Sequence, residues 1–257
     1  DEIKEVPEPA KAALDPKEIR TTEQLFLTGL HLEQYRHATY SATDYYEEAL
    51  RRDPGDVRNN NAMGLWLIRK GQFAKAEPYL RRAVKTLTEK NPNPYDGEPL
   101  YNLGLSLKYQ GKTEEAYDYF YKACWNAAWQ DAGYYSLAQL SAAKGNWEDA
   151  LYEIDKSLLR NWHNLRGRHL KAIVLRHLGR TDEALALIRE SLTIDRFNFG
   201  CSFEEYLLTE KKEVLDDLVL RMRREGHNYE ELALDYASAG CWDEALKVVE
   251  VACEAVT

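Results

Sequence analysis

GLSLKYQGKTEEAYDYFYKA, residues 104–123, sets small residues at Gly104, Gly111, Ala116 and Ala123, with Leu107 and Phe120 between them. Two helices meeting at close range need small side chains where their backbones approach, and a glycine ends the first of them cheaply. The stretch therefore predicts two short antiparallel helices joined by a tight turn. The same template recurs along the chain. Gly29, Ala42, Tyr46 and Ala49 form one copy, and Gly64, Ala76, Leu80 and Ala83 the next. Ala138, Ala150, Ile154 and Ser157 follow, then Ala172, Ala184, Ile188 and Ser191, and last Ala233, Ala245, Val249 and Ala252. Gly71, Gly111, Gly145, Gly179 and Gly240 stand where the first helix of five copies should stop.

Spacing tests the pattern. Ala42 to Ala76, Ala116 to Ala150, and Ala150 to Ala184 are each 34 residues. With these small residues in phase, the chain resembles a tetratricopeptide repeat array over residues 21–196 and 228–254. The resemblance implies an all-α fold, a right-handed superhelical solenoid of antiparallel helix pairs. It also implies that first helices line a concave groove.

Two departures mark the domain plan. Ala76 to Ala116 is 40 residues, the surplus lying in TEKNPNPYDGEP (88–99), whose prolines and glycine predict a loop outside the helices. Ala184 to Ala245 is 61, and the intervening stretch keeps helical periodicity at Leu215, Leu218, Val219 and Met222. The expected plan is residues 1–20 as a linker or the tail of an upstream domain, 21–196 as repeat units one to five, 197–227 as a degenerate helix pair, and 228–257 as a terminal unit. In the first segment Asp15-Pro16-Lys17-Glu18 has the form of a helix start, with Asp as cap and Pro at the first position.

Charge and composition narrow the function classes. Thirty-four basic against 43 acidic residues give a net charge of −9, which disfavours general nucleic-acid binding. No apolar run is long enough to span a bilayer, so no membrane association is expected. Cys124, Cys201, Cys241 and Cys253 show neither CxxC pairing nor metal-ligand spacing and suit small core residues in a reducing compartment. A cytoplasmic location is expected, and a chain opening on Asp1 leaves secretion open. There is no HExxH, GxSxG or phosphate loop, so no catalytic residue, metal or cofactor is expected.

The residues left to carry function lie on the groove. Asn61, Tyr101, Tyr135 and His169 take equivalent places in successive first helices, with Gln139 one turn beyond Tyr135. An aromatic and amide ladder suits a peptide backbone or a sugar ring. From Lys156 to Thr181 there are seven cations and no acid, and Arg166, His169, Arg176 and His177 fall at groove positions there. Such a basic wall would receive an acidic partner segment. Tyr35, Arg36 and His37 at the end of a first helix, with Asn93, Tyr95 and Asp96 of the long loop, are candidates for contact with a neighbouring domain. Trp125 and Trp129 read as a packing seam between units. The final helix carries Leu246, Val248, Val249, Val251 and Val256, an apolar face suited to self-association.

GLHLEQYRHATY (29–40), NPNPYDGE (91–98) and ACWNAAWQDAGYY (123–135) resemble the repeat region of large bacterial multidomain proteins. The N-terminal part of those proteins is a domain of unknown function associated with carbohydrate metabolism. That resemblance implies the C-terminal solenoid of a longer polypeptide. Repeat arrays that clamp acidic chaperone termini look like KxxGN in the first helix, which this chain lacks. The leading reading is a non-catalytic scaffold binding a protein, a peptide or an upstream domain of the same polypeptide. The competing one is an accessory module of a carbohydrate-active protein, contacting glycan or buttressing a catalytic domain.

Overall fold

In-phase small residues allow helices to pair only if they face inward, and they do. The computed structural model describes residues 11–35 and 39–256, so Arg36 and His37, like Pro7 and Pro9, lie outside the described residues. Those described form fourteen α-helices and no strand. They are α1 (Thr22–Gln34), α2 (Ala42–Arg52), α3 (Val57–Arg69), α4 (Phe73–Thr88), α5 (Glu98–Lys108), α6 (Thr113–Ala123) and α7 (Gln130–Ala143). The remainder are α8 (Trp147–Arg160), α9 (Leu165–His177), α10 (Thr181–Ile194), α11 (Phe199–Thr209), α12 (Lys212–Met222), α13 (Gly226–Ser238) and α14 (Trp242–Val256). They fall into two compact units, residues 1–112 and 113–257.

In the first unit, Gly64 of α3 shows why the pattern needs glycine. A β-carbon there would lie 2.5 Å from Leu80 Cγ on α4, and one at Gly29 would lie 2.5 Å from the Tyr46 ring. Leu80 and Tyr46 are wholly buried, as are Ala76 and Ala83. Thr21 caps α1 by accepting the Gln24 N–H at 3.1 Å. Ahead of it, Asp15 accepts the Lys17 N–H and starts a single 3-10 turn, Pro16–Glu18. This segment is fastened to α2. Arg52 donates to the Ile19 and Pro16 carbonyls at 2.5 and 3.1 Å, and Tyr45 donates to the Leu14 carbonyl at 2.9 Å.

The proline-rich stretch differs in its bounds from the sequence expectation. Thr88 closes α4 and Glu98-Pro99 open α5, so the loop is residues 89–97. Pro99 fits because the first helical turn has no intrahelical use for its missing N–H.

In the second unit Ala116, Ala123, Ala138, Ala150, Ala172 and Ala184 are all fully buried. Gly71, Gly111, Gly145, Gly179 and Gly240 all have φ between 69° and 77°, the conformation that stops a first helix. In the degenerate pair, α11 and α12, only α11 ends in the same left-handed turn, and it does so without glycine. Glu210 (φ 54°) and Arg223 (φ 55°) take positive φ after α11 and α12. Leu218 and Met222 are buried there, as the periodicity requires. Two local expectations fail. Trp125 lies beyond the end of α6 and is 58% exposed, so it is no seam. In α14 it is Val248, not Val249, that turns inward.

Glu153 of α8 is a buried carboxylate. Tyr117 donates to its Oε1 at 2.5 Å, while Oε2 is buried with no hydrogen-bond partner. Burial pushes its pKa up, and the Tyr117 and Ser141 hydrogen bonds only partly offset this. A carboxyl whose folded pKa is raised stabilises fully below its unfolded value of about 4.3 and loses that contribution as pH rises through the folded value. Glu153→Gln should therefore raise the melting temperature more at pH 7 than at pH 4, and equal shifts would contradict the burial argument. Gly64→Ala should lower stability to urea by about 1–3 kcal/mol through overpacking, despite a helix-propensity gain of about 1 kcal/mol. Combining it with Leu80→Ala should give a destabilisation smaller than the sum of the two singles.

Candidate functional site

In the first unit the predicted groove is an open cleft. Phe26 and Leu30 of α1, with Ala62 and Leu65 of α3, make its apolar surface. Glu33, Arg58, Asn61, Arg69, Asp96 and Glu98 add polar groups around it. Asn61 is held in place by Asn102 of α5, whose Nδ2 donates to Asn61 Oδ1 at 2.9 Å. The Arg58 guanidinium lies over the Phe26 ring at 5.2 Å and pairs with Glu23 at 3.2 Å. Arg69 pairs with Glu33, and Glu33 also accepts from Tyr46 at 3.0 Å.

The loop reaches the same place. Asp96 lines the cleft and accepts the Glu98 N–H at 2.9 Å, which fixes the start of α5. Tyr95 beside it is 95% exposed. The Asn93 N–H donates to Asn91 Oδ1 within the loop. Tyr35 is exposed and packs on His31, ring centroids 4.5 Å apart. Tyr101 is half-buried on α5 and does not line the cleft.

In the second unit the predicted groove side is occupied by the chain's own α13. His169 of α9 packs edge-on against Tyr236 at 4.8 Å, with Nδ1 3.9 Å from Asp235. Its Nε2 is buried with no hydrogen-bond partner, and a β-carbon at Gly200 would strike its ring at 2.3 Å. Arg166 pairs with Glu231 and, at 3.3 Å, with Asp235. Gln139 donates to its own-helix neighbour Tyr135 at 3.1 Å, and Tyr135 packs on the core. At the end of α13, Gly240 lies so near α7 that a β-carbon would come 2.7 Å from Ala143 Cα.

Arg176 is the node of this arrangement. It donates to Glu204 of α11 at 2.7 Å and to Glu244 of α14 at 2.8 Å, while Tyr236 donates to Glu204 at 2.7 Å. Glu204 and Tyr236 are completely buried. Burial, and then the Glu204 charge, raise the Tyr236 hydroxyl well above its ordinary value, so it stays a donor. Burial also works against the Glu244 charge, but the Arg176 hydrogen bond keeps its carboxyl below the usual range. His177 stacks flat on Trp147, centroids 3.9 Å apart and planes within 5°. Burial, then the neighbouring Arg176, lowers its pKa and keeps it neutral.

The acid-free stretch 156–181 is therefore not an open basic wall. Arg168 is buried and holds Ser191 at 2.7 Å and Glu190 at 2.8 Å. Lys171 pairs with Asp155 and Arg180 with Glu183. Sequence reasoning missed Glu204, Asp235, Tyr236 and Glu244, which lie up to 68 residues from the cations they meet. The available signal was the acids concentrated beyond residue 203, complementary in sign to a stretch with none.

A tetratricopeptide repeat family model matches residues 97–124. Among solved structures, PilF of Pseudomonas aeruginosa aligns with a TM-score of 0.66 at 18% identity, over 83% of this chain and 97% of that one. A tetratricopeptide repeat protein from Parabacteroides merdae gives 0.63 at 17% identity, covering 90% and 98%. The protein MamA gives 0.57 at 20% identity, covering 67% and 90%. These likenesses establish the fold: helix pairs stacked as a solenoid.

Removing Arg176 leaves Glu204 buried and uncompensated. Arg176→Ala should cost about 3–5 kcal/mol in urea unfolding, while Arg176→Met with Glu204→Leu should recover most of that loss. A double variant as unstable as the single would show that the charge pair is not what matters.

Proposed function

We propose that this chain, a tetratricopeptide-repeat protein, is a non-catalytic interaction scaffold that binds an extended segment of a partner protein in the cleft of its first unit. The carrying observation is the contrast between the two units. Groove residues of the second unit, Arg166 and His169, are engaged by α13 around a residual pocket, whereas those of the first line an open cleft whose walls keep polar groups of both signs. The cleft combines an apolar floor, Phe26, Leu30 and Leu65, with polar groups of both signs on its walls. That mixture fits a peptide: side chains seat on the floor while the backbone meets amides. Asn61, oriented by Asn102, offers its NH2 to a backbone carbonyl. Arg58 and Arg69 exchange a surface pair for a partner carboxylate, a trade that costs little because exposed pairs are weak.

Tyr35, Asn93, Tyr95 and Asp96 extend this reading to the cleft rim. Tyr95 and Tyr35 are large, exposed aromatics of the kind that anchor interfaces. Among the described residues no helix is long and apolar enough to cross a membrane. All four cysteines are free, which suits action in the cytoplasm.

An array of fluorescent peptides spanning acidic, basic and apolar sequences tests this. Binding of a defined peptide class should weaken by at least about tenfold in Asn61→Leu and in Arg69→Glu, the loss of one or two good contacts. Leu246→Ser on α14 should bind as the parent does. Equal binding by all variants would place the ligand elsewhere, and quenching of tryptophan by oligosaccharides without peptide binding would replace a protein partner by a glycan.

A further inference from the structure

His177, Cys241 and Glu244 bring three different metal-ligand chemistries to one point. Their donor atoms all lie within 4.8 Å of one another. His177 Nε2 is 3.4 Å from a Glu244 carboxylate oxygen and 3.9 Å from Cys241 Sγ. A tetrahedral zinc ion, with Zn–N and Zn–O of about 2.0–2.1 Å and Zn–S of about 2.3 Å, sets its ligands about 3.3–3.6 Å apart. The trio stands within small side-chain movements of that geometry. We propose that these residues form a binding site for a divalent late transition metal, zinc foremost, which ties α9 to the start of α14.

The ligands are held from outside the site. The Trp147 stack fixes the plane of the His177 ring. Cys241 immediately precedes α14 and Glu244 lies in its first turn, so the two are three residues apart and project to one side. The N-terminal end of a helix favours negative charge, but burial and then the Glu244 charge push the Cys241 thiol up to about 12, so a metal has to displace a firmly held proton. A cavity of about 510 Å³ opens beside the trio, lined also by Lys144, Trp147, Trp242 and Asp243. It has room for a water, or for Asp243, as fourth ligand.

Two cations face the site. Lys144 is engaged by Glu114 at 2.7 Å, and Arg176 by Glu204 as well as Glu244. Arg176 therefore keeps a carboxylate partner when Glu244 turns toward a metal. Binding takes the Cys241 thiol proton, which passes to solvent, so affinity rises with pH. Nitrogen, sulfur and oxygen ligands together select zinc, cobalt or nickel over magnesium and calcium, which prefer oxygen alone.

The test uses the full chain, reduced and stripped with a chelator. Cobalt(II) should bind one ion per chain and give a thiolate-to-cobalt charge-transfer band in the near ultraviolet. Zinc should displace it, bleaching the band, and raise the melting temperature. Cys241→Ser should abolish the band, and His177→Gln should weaken zinc at least about tenfold, within the range seen even for outer-shell changes. Cys253→Ser should leave both intact. The cobalt band of the unaltered chain needs no variant, so it decides even if Cys241→Ser fails to fold. Absence of the band, loss of it in Cys253→Ser, or an unchanged melting temperature under saturating zinc would each overturn the site. The outcome is independent of peptide binding in the first unit.

Discussion

Two helices of this protein come together where one of them lacks a side chain, and every other feature depends on that approach. Gly64 meets Leu80 and Gly29 meets Tyr46 at distances that leave no space for a methyl group. The close approach lets one residue from each second helix fill the space beside its partner completely. Because the contact is local, each pair is a near-complete packing problem, solved again in every repeat, at a spacing of 34 residues for Ala42–Ala76, Ala116–Ala150 and Ala150–Ala184. The pairs can then differ freely on their outer surfaces.

That freedom is used differently in the two units. The first keeps an open face on α1 and α3, with Asn61 oriented by one hydrogen bond from the Asn102 amide and arginines on the walls. The second turns its polar positions inward. Arg176, Glu204, Tyr236 and Glu244 link α9, α11, α13 and α14 through short hydrogen bonds. A buried network of this kind adds little net energy but penalises every arrangement in which a charge is left alone. It therefore specifies where α13 and α14 pack. The degenerate pair before them, with Glu210 and Arg223 at positive φ where glycine would be easier, belongs to the same departure from regular stacking.

Much of this was legible in the sequence. The five helix-ending glycines, the buried alanines and the cap at Asp15 follow from local rules: positive φ, close approach and orphan N–H groups. The periodicity at Leu215, Leu218, Val219 and Met222 marked a helix where α12 lies. The candidate residues divide by where the fold puts them. Asn61 and Asp96 line a cleft, whereas His169 and Arg176 prove to be committed within the fold. The stretch from Lys156 to Thr181 looked like a basic surface because a sequence lists charges by position and says nothing of which acids fold back on them. Trp125 and Val249 were misplaced for a related reason: a helix end, or a rotation of one residue, exchanges inside for outside.

The amino-acid sequence by itself determined the helices, their lengths, their pairing and the spacing of the repeat, because each depends on contacts between residues fewer than about 34 apart. Only the tertiary structure decided which groove residues pair with α13 and which line the first unit's cleft, and that His177 stands beside Cys241 and Glu244. Those relations join segments more than 60 residues apart, and they are set by packing between repeats rather than by any rule acting along the chain.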